Sequence, residues 1–155
     1  MNPPPRTFDE MGEDDLDAVL AIEQEAFPTP WTRENFRFEL RSNPFARNRV
    51  VREGGQVVAY VCLWIVGPEL KINNIAVRRD HRSAGLGTTL LRWALQFARA
   101  EGCVDAELEV RPSNEAARRL YAAQGFRDVR RRKGYYQDTR EDAIVMAAQL
   151  DGNSG

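Results

Sequence analysis

At 155 residues, with 43% apolar and 29% charged residues and a net charge of −1, the chain is long enough for one domain with its own core. No apolar run approaches the roughly 20 residues of a membrane span. A near-neutral balance argues against bulk electrostatic binding of nucleic acid, leaving only a local basic patch to consider.

Residues 1–6 carry Pro3, Pro4 and Pro5 and lack the apolar core of a signal peptide, so they are read as a disordered tail, as are residues 151–155. Residues 7–11 read as a short strand. Gly12-Glu13-Asp14 then opens a helix, with Asp14 as its N-cap and Leu16, Val19 and Leu20 on its inner face beside Ile22 and Ala26. No helix passes both prolines of Phe27-Pro28-Thr29-Pro30-Trp31, which places Phe27 and Trp31 on a stiff loop. Thr32 caps a second, short helix that carries Phe36 and Leu40.

Residues 49–52 and 56–66 are β-type and meet at Gly54-Gly55, a hairpin signal. Gly67-Pro68-Glu69 turns the chain back into a strand over 70–77. Leu90, Ala94 and Phe97 then mark one face of a third helix, stopped by Gly102. The strand over 105–110 follows a strand–helix crossover and is therefore expected to lie parallel to 72–77. Ser113-Asn114 caps a fourth helix with Ala117, Leu120 and Tyr121 on one face, closed by Gly125. Two last strands, 128–133 and 142–150, flank the turn Gly134-Tyr135-Tyr136-Gln137-Asp138. No repeat or linker divides residues 1–155, which read as a single domain.

Cys62 and Cys103 lie in or beside apolar runs and read as buried free thiols of a reducing, cytoplasmic setting. With His81 the only histidine, there is no zinc signature and no metal is expected.

The chemistry concentrates in Arg82-Ser83-Ala84-Gly85-Leu86-Gly87, between a strand and a helix. Gly85 and Gly87 remove Cβ atoms that would hold an anion off the backbone. The N–H groups opening the helix lack partners in their own chain and carry the positive end of the helix dipole. Arg82 adds a forked cationic donor, so the turn can cradle a phosphate. The Rossmann pattern fails at Leu90 and the Walker pattern lacks its Gly-Lys-Ser/Thr. Arg-x-x-Gly-x-Gly resembles the pyrophosphate loop of the GCN5-related N-acetyltransferase (GNAT) family.

Three further runs are similar to that family: Asn74-Ile75-Ala76-Val77, Leu108 through Asn114 with Glu109 near a strand end, and Leu120-Tyr121 ahead of Gly125-Phe126. Phe27 to Trp31, and Tyr135-Tyr136 followed by Arg140-Glu141-Asp142, most resemble its RimI-type branch, whose members acetylate the N-terminal residue of a small-subunit ribosomal protein. One departure is the Thr29 and additional proline between Phe27 and Trp31, which bears on the acceptor loop rather than on catalysis.

The resemblance implies an α/β GNAT fold: a mostly antiparallel sheet of about seven strands, four helices, and a central parallel pair around acetyl-coenzyme A. It implies that residues Arg82, Ser83, Ala84, Gly85, Leu86, Gly87 and Thr88 hold the pyrophosphate. The backbone of Ile75, Ala76 and Val77 would pair with the pantetheine arm, and Asn114 would hydrogen-bond it. Glu109 would serve as base and Tyr121 as acid, with Phe27, Trp31, Tyr135 and Tyr136 flanking the acceptor entrance.

Physical chemistry adds two expectations. Burial among apolar neighbours is expected to raise the Glu109 pKa, which suits a base; the alternative reading, a salt-bridge partner for Arg111, can hold beside it because alternate strand residues share a face. A phenol at ~10 and a thiol at ~8.5 leave proton transfer from Tyr121 to a thiolate uphill by only ~2 kcal/mol.

The expected function is direct acetyl transfer to the N-terminal α-amine of a protein, with a small first residue. The alternatives are transfer to a small-molecule amine and non-catalytic acyl-coenzyme A binding; a pure binder would need neither Glu109 nor Tyr121. The run Arg127, Arg130, Arg131, Arg132, Lys133 reads as a solvated edge strand rather than a nucleic-acid surface.

Overall fold

Seven strands form one sheet in the order β1-β2-β3-β4-β5-β7-β6, seen in a computed structural model that describes residues 4–82, 85–136 and 140–150. The strands are β1 (Arg6–Glu10), β2 (Ala46–Glu53), β3 (Gln56–Val66), β4 (Glu69–Val77), β5 (Asp105–Val110), β6 (Arg127–Arg132) and β7 (Ala143–Gln149). Four helices connect them: α1 (Leu16–Ala26), α2 (Arg33–Arg41), α3 (Leu86–Ala100) and α4 (Glu115–Ala123). As expected from the crossover, β5 runs parallel to β4, with Glu69 opposite Asp105 and Ile72 opposite Leu108. The described pairs β1·β2, β5·β7 and β6·β7 are antiparallel.

The chain divides into two compact units. The first comprises residues 1–63 and 74–91 and has its own core of Met11, Leu16, Val19, Ile22, Phe36, Val50, Tyr60 and Cys62. Gly54 and Gly55 both take positive φ (59° and 85°), which makes the β2–β3 turn possible for glycine at little steric strain. Two expectations need correcting here. The start of α1 is organised by Asp15, not Asp14: Asp15 accepts from the Gly12 amide at 2.9 Å and pairs with Arg52 at 2.7 Å. A local capping rule does not see that strand partner. Arg6 is not tail but the first residue of β1, where it pairs with Glu53 at 3.0 Å.

The second unit comprises residues 64–73 and 92–155. Its buried residues include Leu70, Ile72, Ala94, Leu108, Val110, Phe126, Ile144 and Val145. Cys103 belongs to this unit, and both cysteines are buried and free. β6 is the edge strand, and all six of its residues are exposed. Strict alternation breaks at Val129, which the register skips between Asp128 and Arg130.

Candidate active site

In the first unit, the turn before α3 has the character of an anion cradle. Gly85 holds φ +80°, a left-handed conformation, and a Cβ there would meet nothing within 4 Å. Glycine is thus required for the backbone shape, and the space beside it is open. The Thr89 amide makes the bond back to the Gly85 carbonyl at 3.0 Å. The amides of Leu86, Gly87 and Thr88 precede it and keep the positive helix end, with no acidic residue in the first turn. Arg82 is braced by its Nε, which donates to the Val77 carbonyl at 3.0 Å. Ser83 and Ala84 lie outside the described residues.

Ile75, Ala76 and Val77 end β4 in this unit. The pairing of β4 with β5 stops at Ile72 and Leu108, before these residues. Phe27 and Trp31 also belong to the first unit, on the loop between α1 and α2. α1 ends at Ala26, and the Thr32 hydroxyl caps α2 by accepting from the Asn35 amide at 3.2 Å. Both boundaries are those expected from the prolines and Thr32.

The loop is tied down by Glu23, which sequence reasoning missed. Its Oε2 accepts from the Trp31 amide at 2.8 Å; its Oε1 accepts from Asn74 Nδ2 at 2.8 Å and from the Tyr60 hydroxyl. Burial raises the Glu23 pKa despite these bonds. The only sequence signal was an acid on an otherwise apolar helix face.

In the second unit, Glu109 lies on β5 with its side chain about 10% exposed. Its partner is not Arg111. Lys71 Nζ donates to Oε1, and Arg132 Nη1 donates to Oε2 at 2.6 Å. The same Arg132 guanidinium lies over the Tyr135 ring, and Tyr135 adds to the influences that lower the carboxyl pKa. Burial pushes the pKa up, but the hydrogen bonds and charges of Lys71, with Arg132 and Tyr135, outweigh it and hold the carboxyl below its ordinary value. The expectation of a raised pKa is therefore overturned. It counted desolvation and omitted cations from β4 and β6 that are distant in sequence.

Tyr121 is buried on α4, with its ring centroid 5.9 Å from that of Phe126. Burial and the neighbouring Tyr136 push its hydroxyl well above the ordinary phenol value. Complete proton loss is accordingly harder than the reference values suggest, and its accessible role is hydrogen-bond donation. Asn114 caps α4, its Oδ1 accepting from the Ala117 amide at 3.2 Å.

Tyr135 and Tyr136 meet edge to face at 5.0 Å, with Arg132 over the first ring and Arg111 over the second at 4.5 and 4.0 Å. Burial is the main reason that the Tyr136 pKa is pushed up to about 12. Glu141 fastens this turn. Its carbonyl accepts from the Tyr136 amide at 3.1 Å, and its carboxylate accepts from the Ser113 amide and hydroxyl, both at 3.0 Å. The structure thus brings Glu109, Tyr121, Asn114, Tyr135 and Tyr136 into the second unit and the anion turn with Phe27 and Trp31 into the first. Among the described residues, no group of three or more His, Cys, Asp or Glu could hold a metal ion, and no helix is long and apolar enough to cross a membrane.

Chemically, the second unit offers an ionised carboxylate, a buried phenol and an aromatic turn; the first offers backbone amides and an arginine for an anion. The description of the acetyltransferase (GNAT) family matches residues 16–126. The ribosomal protein bS18-alanine N-acetyltransferase of Escherichia coli (strain K12) is 37% identical over 148 residues, covering 93% of this chain and 97% of the relative. A Bacillus subtilis (strain 168) protein given the same name provisionally is 38% identical over 133 residues, covering 86% and 88%. The crystal structure of the ribosomal-protein alanine N-acetyltransferase from Escherichia coli superposes with a TM-score of 0.87 at 33% identity, covering 97% of each chain.

Proposed function

Because this chain belongs to the acetyltransferase (GNAT) family, we propose that it moves an acetyl group from acetyl-coenzyme A directly to the N-terminal α-amine of a protein. The names of its relatives supply the acceptor: ribosomal protein bS18, with alanine as the modified residue. The observation that carries the reading to an amine is Arg132, which donates to the Glu109 carboxylate at 2.6 Å and lies over the Tyr135 ring, joining the base to the turn assigned to the acceptor.

Acetyl-coenzyme A, the donor used by this family, supplies the activated thioester. Arg82, the amides of Gly85, Leu86, Gly87 and Thr88, and the adjoining Ser83 and Ala84 are assigned to its pyrophosphate. The Ile75-Ala76-Val77 backbone is assigned to its pantetheine arm, together with the carboxamide nitrogen of Asn114, whose oxygen is engaged in the α4 cap.

Glu109 works as a carboxylate already ionised at neutral pH. An α-ammonium has a pKa near 8 and Glu109 is held below its ordinary carboxyl value, so full proton capture is uphill by more than about 5 kcal/mol. A turnover of about 1 per second corresponds to a barrier near 17 kcal/mol, which leaves room for that step. Glu109 accepts the amine hydrogen as the new bond forms, directly or through water. The Tyr121 hydroxyl donates a hydrogen bond to the departing sulfur, one that strengthens as charge develops there. Tyr135 and Tyr136 meet the first residues of the acceptor, and Phe27 and Trp31 contribute from their own loop.

A panel of synthetic peptides with free Ala, Ser or bulky first residues, incubated with acetyl-coenzyme A and sequenced by mass spectrometry, tests the proposal. The acetyl group is expected on the α-amine of the Ala and Ser peptides. Acetyl found only on lysine side chains, or on no peptide, would refute it.

A further inference from the structure

Glu23 has 1% of its surface exposed, and the groups recorded on it, the Trp31 amide, the Tyr60 hydroxyl and the Asn74 carboxamide, carry no positive charge. A carboxylate buried among neutral donors is costly to maintain, and an apolar residue would fill the same helix face beside Leu16, Val19 and Ile22 more cheaply. What a carboxylate supplies that an apolar residue lacks is an acceptor for backbone. Pro28 and Pro30 carry no N–H, so this stretch has few backbone donors with which to fix itself. The first amide after Pro30 is that of Trp31, and it points to Glu23.

The rings close the same circuit a second time. Trp31 packs on Phe36 at 5.2 Å between centroids, and Phe36 meets Tyr60 edge to face at 5.9 Å. Tyr60 in turn donates to Glu23. One face of the loop is therefore held by ring packing, and its backbone by the Phe27 amide on the Glu23 carbonyl at 3.0 Å and by the Trp31 amide on a Glu23 carboxylate oxygen. The other carboxylate oxygen is held by β3 and β4 through Tyr60 and Asn74, so the anchor itself is fixed from three elements.

We propose that Glu23 is a positioning residue for acceptor selection: it holds the 27–31 loop, through the Trp31 amide, in the conformation that presents Phe27 and Trp31 to the incoming peptide. The inference rests on the assignment of that loop to the acceptor. It goes beyond that assignment by placing the control of peptide affinity in a buried residue that the peptide does not touch.

The test compares Glu23→Met and Glu23→Gln with wild type. Methionine keeps the length and removes both acceptor oxygens. Glutamine keeps one oxygen for the Trp31 amide, while the Tyr60 hydroxyl and a turned Asn74 carboxamide can accept from its NH2. Three quantities are read: hydrogen exchange at the Trp31 amide, KM for an alanine-first peptide, and KM for acetyl-coenzyme A. In Glu23→Met, the Trp31 amide is expected to lose its protection. Peptide KM is expected to rise by about tenfold, the equivalent of one charge-assisted hydrogen bond. The acetyl-coenzyme A KM should stay within about twofold, because β4 keeps its place in the sheet. Glu23→Gln should restore protection and most of the peptide affinity. General destabilisation would lower the melting temperature without separating the two KM values. If Glu23→Met fails to fold, the pair Glu23→Met, Tyr60→Phe removes acceptor and donor together and takes its place.

Unchanged Trp31 exchange in a folded Glu23→Met protein would overturn the tether. Faster exchange with an unchanged peptide KM would overturn the part of this loop in acceptor binding, while acetyl transfer by wild type to the same peptide would leave the proposed reaction standing.

Discussion

Replacing Lys71 with methionine removes the ammonium that lies against Glu109 and keeps a side chain of similar length. With Lys71 gone, desolvation remains the largest influence on a side chain about 10% exposed, and it raises the pKa. Arg132 still opposes it, but its side chain is 51% exposed and its charge is screened by solvent. An opposite charge in contact lowers a carboxyl pKa by about 1–3 units, so losing Lys71 should raise the Glu109 value. The assay is kcat/KM for an alanine-first peptide from pH 5 to 9, expressed as variant over wild type. The titration of the peptide amine is common to both enzymes and cancels in that ratio. The ratio should be flat at high pH and fall by up to about tenfold towards pH 5, since a base must be unprotonated to act. A ratio flat down to pH 5, or one that rises on acidification, would refute the claim that Lys71 sets the acidity of Glu109.

Glu109→Gln should lower kcat by about 100-fold with acetyl-coenzyme A affinity nearly unchanged, as measured by steady-state kinetics and calorimetry. Tyr121→Phe should slow turnover by about tenfold or more without loosening the cofactor; an effect on its KM alone would count against the donor role. Gly87→Val should raise the acetyl-coenzyme A KM while the circular dichroism spectrum stays native, because a branched Cβ obstructs the turn. The Glu109 pKa is depressed in the fold, so its stabilisation is present above the unfolded carboxyl value and is lost as pH falls through the folded one. Urea midpoints should therefore drop below about pH 4.5, and the part due to Glu109 should shrink in Lys71→Met.

The elements were legible where chemistry is local. Gly54-Gly55, Pro28 with Pro30, Thr32 and Gly102 each mark a boundary that the backbone obeys, because φ preference and missing donors act within a few residues. The parallel placement of β5 followed from the crossover rule. The candidate site was legible as a set of residue types, and its electrostatics were not. Lys71 and Glu109 are 38 positions apart, Arg132 and Glu109 23, and Glu23 and Asn74 51. No spacing rule reaches that far, so the sign of the Glu109 shift and the anchoring of the 27–31 loop emerged only from the fold. Asp15 is the same lesson, since its role at the start of α1 is decided by Arg52, 37 positions away on β2.

The central claim is that the accepted amine is a free protein N-terminus. It is tested most directly by kcat/KM for two peptides of one sequence, the first with a free alanine N-terminus and no lysine, the second N-blocked and carrying one lysine. Wild type should acetylate the first at least about 100-fold more efficiently, and Tyr135→Ala should lower that rate while barely affecting the second. Equal rates on both peptides, or a Tyr135→Ala enzyme unchanged on the first, would contradict it.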